Sequence, residues 1–225
     1  SSHPTRSKTT SKGGCCIMPE LNLDLHPAQL QIFHSNKRFK IVAAGRRFGK
    51  SYLSAWILLI KAIQSTNKDV YYIAPTFQQA KDIMWSLLKD LGRDLIAQAH
   101  ENTATLTLIN GRKIYLKGSD RESTLRGAGL AYVVMDEMAN IKPVVWEQII
   151  RPTLADIKGG CLMIGTPAAK NHFFDLYKDA LEDDEWDAFQ FNSTDNPFLP
   201  PEEIEAARKN MSSMAFRQEF EASFE

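Results

Sequence analysis

The sequence predicts an α/β fold in which helices pack on both faces of a mainly parallel sheet. Short apolar stretches typical of strands alternate along the chain with longer stretches whose apolar residues recur at helical spacing. Several of the short stretches are apolar throughout, as in strands that are covered on both faces. The chain of 225 residues, 44% hydrophobic and 24% charged, has the size and composition of one globular domain with a small appendage.

The first part of the chain contains three predicted helices and two predicted strands. A helix is expected in LHPAQLQIFHS, because a proline stands near its start and apolar residues follow at helical spacing. The strand RFKIVAAG leads through a glycine-containing loop into the helix KSYLSAWILLIKAIQS. The strand DVYYIAP leads in the same way into the helix TFQQAKDIMWSLLKDLGRDLI. Strands that are each followed by a helix are typical of a parallel sheet.

The remainder begins with a predicted hairpin. TATLTLINGRKIYLKG has the pattern of two alternating strands joined at Asn110 and Gly111, which predicts a type I′ turn. LAYVVMDE is a continuous apolar strand that ends in two acids, and the helix PVVWEQIIRPTLAD follows it. GGCLMIGTP is a further buried strand, followed by the helix NHFFDLYKDAL. From Glu182 the chain is predicted to be polar and helical, with a proline-led helix in NPFLPPEEIEAARKN.

Three segments are expected along the chain. Residues 1–17 are expected to be a disordered tail or an expression remnant, with Met18 as the native start. They are rich in Ser, Thr, Gly and Lys and lack the apolar stretch of a signal peptide. Residues 18–181 are predicted to form the core, and residues 182–225 a helical lid or linker. No apolar run approaches the roughly 20 residues that span a bilayer, so no membrane contact is expected.

Charge and cysteine content restrict the possible partners. The chain has 27 basic and 27 acidic residues, and residues 1–17 contain three basic residues and no acid, so the remainder is slightly acidic. Any contact with nucleic acid must therefore come from a local basic patch. Cys15 and Cys16 are adjacent and Cys161 lies in an apolar run, which gives no metal framework and fits a reducing compartment. The acids at 182–185 are interpreted as a solvated helix end rather than a metal site.

The loop after the first strand resembles a phosphate-binding loop, whose pattern is Gly, four residues, then Gly-Lys-Ser/Thr. Gly49 lets the backbone turn its N–H groups toward phosphate, and the start of the following helix adds its dipole. Lys50 supplies a charge for the β- and γ-phosphates, and Ser51 offers a hydroxyl to Mg²⁺. The alternative is a chance match in a strand–helix turn. The candidate nucleotide-binding residues are Ala44, in the first glycine position, Gly45, Arg46, Arg47, Phe48, Gly49, Lys50 and Ser51.

Asp136 and Glu137 end a predicted buried strand about 85 residues after the loop. In nucleotidases of this kind the first acid orients Mg²⁺ and the second polarises the attacking water. Two acids can also simply solvate a strand end. Because the pair occurs together with the loop, we expect Asp136 to hold the metal and Glu137 to be catalytic, which favours hydrolysis over binding alone.

Four segments together resemble the ATPase domain of a tailed-phage large terminase. AAGRRFGKS is similar to the arginine-bearing Walker A loop of that family, YYIAPTFQQAK to its second conserved segment, LRGAGLAYVVMDE to its Walker B region, and IGTP to its coupling motif. The resemblance extends over about residues 25–225, and four segments in order are far more specific than one. It implies a P-loop NTPase of the ASCE type, with ATP and Mg²⁺ as cofactors, and makes residues 18–181 the ATPase core.

The resemblance also implies roles for individual residues. Arg46 is the better candidate for the phosphate side, while Arg47 could equally stabilise the loop or face solvent. Gln29 resembles the adenine-contacting glutamine, with a solvated helix residue as the alternative, and Thr166 matches the coupling position, with a strand-end turn as the alternative. Arg126 is expected to act as an arginine finger supplied in trans to a neighbouring subunit. It could instead pair with a local acid such as Glu122 or contact DNA phosphate.

The function implied by the resemblance is ATP-driven translocation of double-stranded DNA into a procapsid in the host cytoplasm. The expected partners are a portal protein, a small terminase subunit and further copies of the chain in a ring, although the isolated domain could be a monomer. The family's nuclease domain is expected to be absent, because the chain ends at Glu225. Two alternatives stay open at this point: a helicase-like DNA-dependent ATPase, and a nucleotide-binding assembly module without appreciable turnover.

Overall fold

The structure is a computed structural model that describes residues 21–127, 129–168 and 170–225. The predicted tail at residues 1–17, and the predicted start at Met18, lie outside these ranges.

An eight-stranded sheet forms the centre of the molecule, in the spatial order β3-β4-β5-β2-β6-β7-β1-β8. The six strands from β5 to β8 in this order are parallel, whereas β3 and β4 extend the sheet in antiparallel fashion. The strands are β1 (Phe39–Ala44), β2 (Val70–Ala74), β3 (Ile96–His100), β4 (Thr105–Leu108), β5 (Lys113–Gly118), β6 (Tyr132–Asp136), β7 (Gly160–Gly165) and β8 (Trp186–Phe191).

The helices follow the strands as predicted, but two of them contain π-helical turns. One such turn, Lys81–Trp85, joins α3 to α4, and another, Val145–Ile150, precedes α5. The helices are α1 (Pro27–His34), α2 (Lys50–Gln64), α3 (Phe77–Ala80), α4 (Ser86–Leu91), α5 (Arg151–Thr153), α6 (His172–Leu181), α7 (Pro201–Asn210) and α8 (Ser213–Phe220).

Two hydrophobic clusters cover the two faces of the sheet. Residues of β1 alternate between them: Val42 and Ala44 belong to the cluster that contains α2, while Ile41 and Ala43 belong to the cluster that contains Phe173 of α6. All six residues of β1 are buried, because helices lie against both sides of the strand. The predicted α/β fold, with a mainly parallel sheet and helices on both faces, is therefore confirmed.

The predicted hairpin is present, but its turn type is wrong. Strands β4 and β5 are antiparallel neighbours. The N–H of Gly111 donates to Leu108 O at 2.9 Å, and Gly111 has a φ of 84°, whereas Asn110 does not have a positive φ. This is a type I turn followed by a glycine in the left-handed region, rather than a type I′ turn, which needs two positive φ values. The side chain of Asn110 instead donates to Ala62 O and Ile63 O of α2, at 3.0 Å each.

Two strands were not predicted, and both lie at edges of the sheet. The predicted second helix ends at Leu91, capped by Gly92, and Ile96 begins β3 instead of ending that helix. The prediction of helix after Glu182 is wrong for Trp186–Phe191, which form β8 beside β1. Edge strands are only half covered and carry polar residues, so their sequences lack the continuous apolar run that identified the central strands. The core sheet therefore continues beyond residue 181.

A small helical unit follows β8, as predicted. Helix α7 begins with Pro201 at its first position, and the side chain of Ser212 accepts from the N–H of Ala215 at the start of α8. Ile204, Phe216 and Phe220 form a separate hydrophobic cluster between the two helices. None of the helices in the described ranges is long and apolar enough to cross a membrane.

Candidate active site

Three neighbouring strands bring the predicted motifs to one edge of the sheet. Strand β7 lies between β1 and β6 and is parallel to both. The phosphate-binding loop follows β1, the two acids end β6, and Thr166 follows β7. Because the carboxyl ends of parallel strands meet at one edge, segments more than a hundred residues apart in sequence converge there.

An open cleft of about 630 Å³ lies at this edge. It is the largest cavity among those found around the described residues, and both ends of the chain's core contribute to its walls. The residues that line it are Arg46, Arg47, Phe48, Gly49, Lys50, Ser51, Tyr52, Leu87, Glu137, Asn140, Thr166, Pro167, Ala168 and Glu219. A cleft of this size and polarity suits a nucleotide-sized ligand.

Gly49 is the residue that turns the loop into α2. Its φ of 99° lies in the left-handed region, where glycine is favoured, and a Cβ built on it would collide with Gln29 Nε2. Helix α2 then begins at Lys50, and its first residues line the cleft. The helix N-terminus therefore directs its unpaired N–H groups and its dipole toward the cleft, which favours an anion there.

Lys50 links the phosphate-binding loop to the end of β7. Its Nζ donates to Ala44 O and Gly45 O at 3.0 Å each, and to Thr166 Oγ1 at 2.8 Å. Burial lowers the pKa of Lys50, while the negative charges of Asp136, Glu137 and Glu219 act in the opposite direction. Ala44 and Gly45 thus do not line the cleft themselves but anchor the lysine from below.

Asp136 lies behind the cleft rather than in its wall. The side chain is 3% exposed; Oδ2 accepts from Tyr72 Oη at 2.5 Å, and Oδ1 accepts from the N–H of Glu137 at 2.7 Å. Burial raises the pKa of Asp136, whereas the two hydrogen bonds and Lys50 lower it. The carboxylate is therefore held in one orientation beside the cleft.

A magnesium ion would need ligands from more than the protein. The residues that the structure describes include no group of three or more His, Cys, Asp and Glu side chains that could hold a metal ion. Mg²⁺ is commonly bound by one or two protein oxygens together with phosphate oxygens and water. Ser51 lines the cleft and Asp136 lies beside it, so this pair fits such a mode of binding.

Glu137 projects into the cleft from a strained backbone position. It has φ 53° and ψ 44°, in the left-handed region that costs a non-glycine residue about 1 kcal/mol or more. Burial raises the pKa of Glu137, and the negative charges of Asp136 and Glu219 raise it further, against the opposing charges of Lys50 and Arg46. A partly buried carboxylate with a raised pKa is a suitable proton acceptor.

The two arginines of the loop have different environments. Arg46 lies close enough to Glu137 to lower the pKa of that carboxyl. Arg47, with a φ of 59°, forms an exposed ion pair with Glu203 of α7 at 3.3 Å, and its carbonyl accepts from Asn196 Nδ2 at 2.9 Å. The geometry thus favours Arg46 for the phosphate side, and Arg47 connects the loop to the helical unit.

Gln29 and His26 hold the outer side of the phosphate-binding loop. Gln29 is 3% exposed and does not line the cleft; its Nε2 donates to Gly49 O and its Oε1 accepts from the N–H of His26, at 2.9 Å each. The ring nitrogen Nε2 of His26 lies 2.8 Å from Phe48 O. Gln29 is therefore not the solvated helix residue considered as the alternative. Since both ends of its amide are engaged with the protein, its contact with adenine stays a prediction.

Arg126 does not reach the cleft of its own chain. It is exposed, follows the short 3₁₀ turn Glu122–Thr124, and is not among the residues that line the cleft. Within the described ranges it forms no ion pair, so the alternative of a local pair with Glu122 is not observed. An arginine in this position is available to another molecule.

Sequence reasoning missed the contacts that the C-terminal helical unit makes with the site. The N–H of Arg46 donates to Glu219 O, Ser193 Oγ donates to Arg46 O at 2.5 Å, and the side chain of Glu219 lines the cleft. A Cβ on Gly45 would lie 2.5 Å from Phe220 O, so only glycine fits at this point of contact. Glu219 belongs to no motif, and only its proximity in the folded chain identifies it.

The charge of Glu219 leads to a testable expectation. Substituting Glu219→Gln removes a negative charge from the wall where phosphates would lie, so ATP affinity should rise severalfold, by about 1 kcal/mol. Because Glu219 raises the pKa of Glu137, the acidic limb of the turnover profile should also move to lower pH. Nucleotide titration and a pH–rate profile measure the two effects, with Glu221→Gln as a matched control on the following turn. Weaker ATP binding in Glu219→Gln would contradict this reading of the cleft.

Comparison with known sequences agrees with the site. Residues 41–225 match the family described as "Terminase large subunit, T4likevirus-type, N-terminal". The large terminase subunit of Escherichia phage T5 is 28% identical over 194 residues, which cover 83% of this chain and 44% of that protein. That of Thermus virus P23-45 is 28% identical over 176 residues, which cover 68% of this chain and 36% of that protein. The chain thus spans less than half the length of these relatives.

Comparison with solved structures gives the same result. The ATPase domain of the large terminase of Thermus phage P74-26 superposes with a TM-score of 0.77 and 25% identity, covering 89% of this chain and 94% of that domain. The large terminase of another thermophilic bacteriophage, in complex with ATP-gamma-S, has a TM-score of 0.76 at 17% identity, covering 88% of this chain and 52% of that protein. The chain belongs to the terminase large-subunit family and has the fold of its ATPase domain.

Proposed function

We propose that the chain is the ATP-hydrolysing motor domain of a viral DNA-packaging terminase, which translocates double-stranded DNA into a procapsid. The observation that carries this proposal is the convergence of Lys50, Glu137 and Thr166 on one cleft, with a hydrogen bond between two of them that spans 116 residues of sequence. A basic group, a carboxylate and a hydroxyl in these positions suit phosphoryl transfer to water. The large terminase of the thermophilic bacteriophage compared above, which has the same fold, was solved with ADP and with ATP-gamma-S.

In the proposed mechanism, the phosphate-binding loop and the start of α2 bind the triphosphate through N–H groups, with Arg46 and Lys50 as cations beside it. Ser51 and Asp136 would hold Mg²⁺, which offsets the charge of the phosphates when bound. Glu137 accepts the proton of the attacking water. Arg126 of a neighbouring subunit stabilises the charge that develops on the γ-phosphoryl oxygens.

The proposed assembly follows from the family rather than from this chain alone. The active form would be a ring of subunits on a portal protein, supplied with DNA through a small terminase subunit, in the host cytoplasm. Residues 18–191 would form the ATPase core, extended through β8, and α7 with α8 would form the lid or linker. The contacts of Ser193, Asn196 and Glu219 with the phosphate-binding loop support a unit that responds to the nucleotide.

The experiment that tests the proposed function is the measurement of ATP turnover with and without double-stranded DNA. A motor should hydrolyse ATP faster when DNA is added, whereas an assembly module without turnover should not. A strand-displacement assay on the same preparation distinguishes a translocase, which leaves the duplex intact, from a helicase. Absence of ATP turnover in the assembled protein, with DNA present, would contradict the proposal.

Thr166 should couple the state of the nucleotide to the rest of the domain. Substituting Thr166→Val keeps the shape of the side chain but removes the hydroxyl that accepts from Lys50 Nζ at 2.8 Å. We expect ATP still to bind, while turnover or its stimulation by DNA falls. A comparison of nucleotide affinity with stimulated turnover tests this, and Thr166→Ser should restore activity. Unchanged stimulation in Thr166→Val would reduce Thr166 to an ordinary strand-end residue.

A further inference from the structure

A second cavity, of about 250 Å³, lies at the far ends of β1 and α2 from the cleft. The cleft contacts the first residues of α2, whereas this cavity is lined by residues of its last two turns, including Lys61. A helix of 15 residues is about 22 Å long, so the two sites are well separated. Lys37, Lys40 and Lys61 all line this cavity, which we call the lysine cavity.

Lys40 is the innermost cation of the lysine cavity. It lies in the otherwise apolar strand β1, is only 3% exposed, and donates from Nζ to Ile32 O at 2.8 Å. That carbonyl belongs to the last turn of α1, and the remaining two donors of the ammonium have no further hydrogen bond within the described ranges. Burial lowers the pKa of Lys40 to about 8, because a buried charge without a counter-ion is costly.

Lys61 adds a second charge from the rim. Its Nζ lies 5.1 Å from the centre of the Tyr132 ring, and its charge acts with burial to lower the pKa of Lys40. Burial lowers the pKa of Lys61 as well. Two like charges that disfavour each other in this way would both be stabilised by an anion held between them.

The remaining polar groups of the cavity do not cancel this charge. Lys37 donates to the carbonyl of Asp184 at 2.6 Å, which leaves its charge uncompensated. Asp187 is paired in register with Lys40 across β1 and β8 and raises its pKa, but this carboxylate also accepts from Ser35 Oγ. Three ammonium groups thus face one carboxylate.

We propose that the lysine cavity binds a small phosphate-like oxyanion between Lys40 and Lys61. The amides of Asn36 and Gln64, which also line the cavity, supply further hydrogen-bond donors. The burial of Lys40 favours a free anion over a phosphate group of the DNA backbone, because a duplex cannot approach an amine on a side chain that is only 3% exposed. The site does not depend on the proposed ATPase function.

The test is thermal unfolding of the full chain with increasing inorganic phosphate, compared with KCl at equal ionic strength. Phosphate can also bind at Lys50, so all measurements use the Lys50→Ala background, in which the nucleotide cleft is weakened. In that background phosphate should raise Tm by about 3–6 °C once its concentration exceeds Kd tenfold. Adding Lys61→Met should remove this rise, while Lys209→Met, which removes the same charge from another exposed helical lysine, should keep it.

Lys61 is exposed, so its substitution is not expected to prevent folding, and each variant is compared with itself in the absence of phosphate. An equal phosphate response in the Lys61→Met and Lys209→Met variants would overturn the proposal, as would an equal response to KCl. A parallel series with a short DNA duplex at the same phosphate concentration identifies the source of the anion. A response to Lys61→Met that appears only with the duplex would also contradict a site for a free oxyanion.

Discussion

Substituting Glu137→Gln should leave ATP affinity nearly unchanged while turnover falls by about 10²-fold or more. Glutamine keeps the size of the side chain and its place in the wall of the cleft, but it cannot accept a proton from the attacking water. The strained backbone at φ 53° should be retained, because the substitution alters only the end of the side chain. Single-turnover kinetics and equilibrium binding of ATP separate the two effects.

Lys50→Ala is the contrasting variant. It removes a charge that would bind the phosphates in both ground state and transition state, so affinity and turnover should both fall. It also removes the hydrogen bonds that join Ala44, Gly45 and Thr166 through one ammonium group. Near-normal turnover in Glu137→Gln, with Lys50→Ala inactive, would remove Glu137 from the role of general base.

Substituting Arg126→Ala should reduce turnover of the assembled protein by about 10³-fold or more, within the range measured for arginine fingers. ATP binding to the isolated chain should not change, because Arg126 lies outside the cleft of its own chain. Arg121→Ala is the matched control, since Arg121 is also exposed on the same segment but contacts the Phe77 ring from 5.7 Å. An equal loss of turnover in both variants would indicate a general disturbance of the segment.

The catalytic motifs could be predicted from the sequence because each is a local pattern with a fixed structural setting. The loop at residues 44–51 needs a strand before it and a helix after it, and both are readable as apolar periodicity. The acids at 136 and 137 follow a strand whose five residues are all buried. Buried central strands and their flanking turns therefore gave both the fold and half of the site.

The other half of the site depends on contacts between distant segments and could not be predicted. Strand β8 is half covered and polar, so no apolar run marked it, although it pairs with β1 directly beneath the loop. Glu219 and Ser193 reach the loop only because β8 and α8 return to it. Asn110 satisfied the local rule for a type I′ turn, but its bonds to the carbonyls of α2 favour another backbone conformation.

The central claim is that ATP is hydrolysed between two chains, with Glu137 from one and Arg126 from the next. The most direct measurement is the ATPase activity of mixed assemblies made from Arg126→Ala and Glu137→Gln subunits, each inactive alone. Some interfaces in the mixture would then combine an intact Glu137 with an intact Arg126, so activity should reappear as the two proteins are mixed. If co-assembly is demonstrated and no proportion of the two variants restores activity, the assignment of Arg126 to a neighbouring site is contradicted.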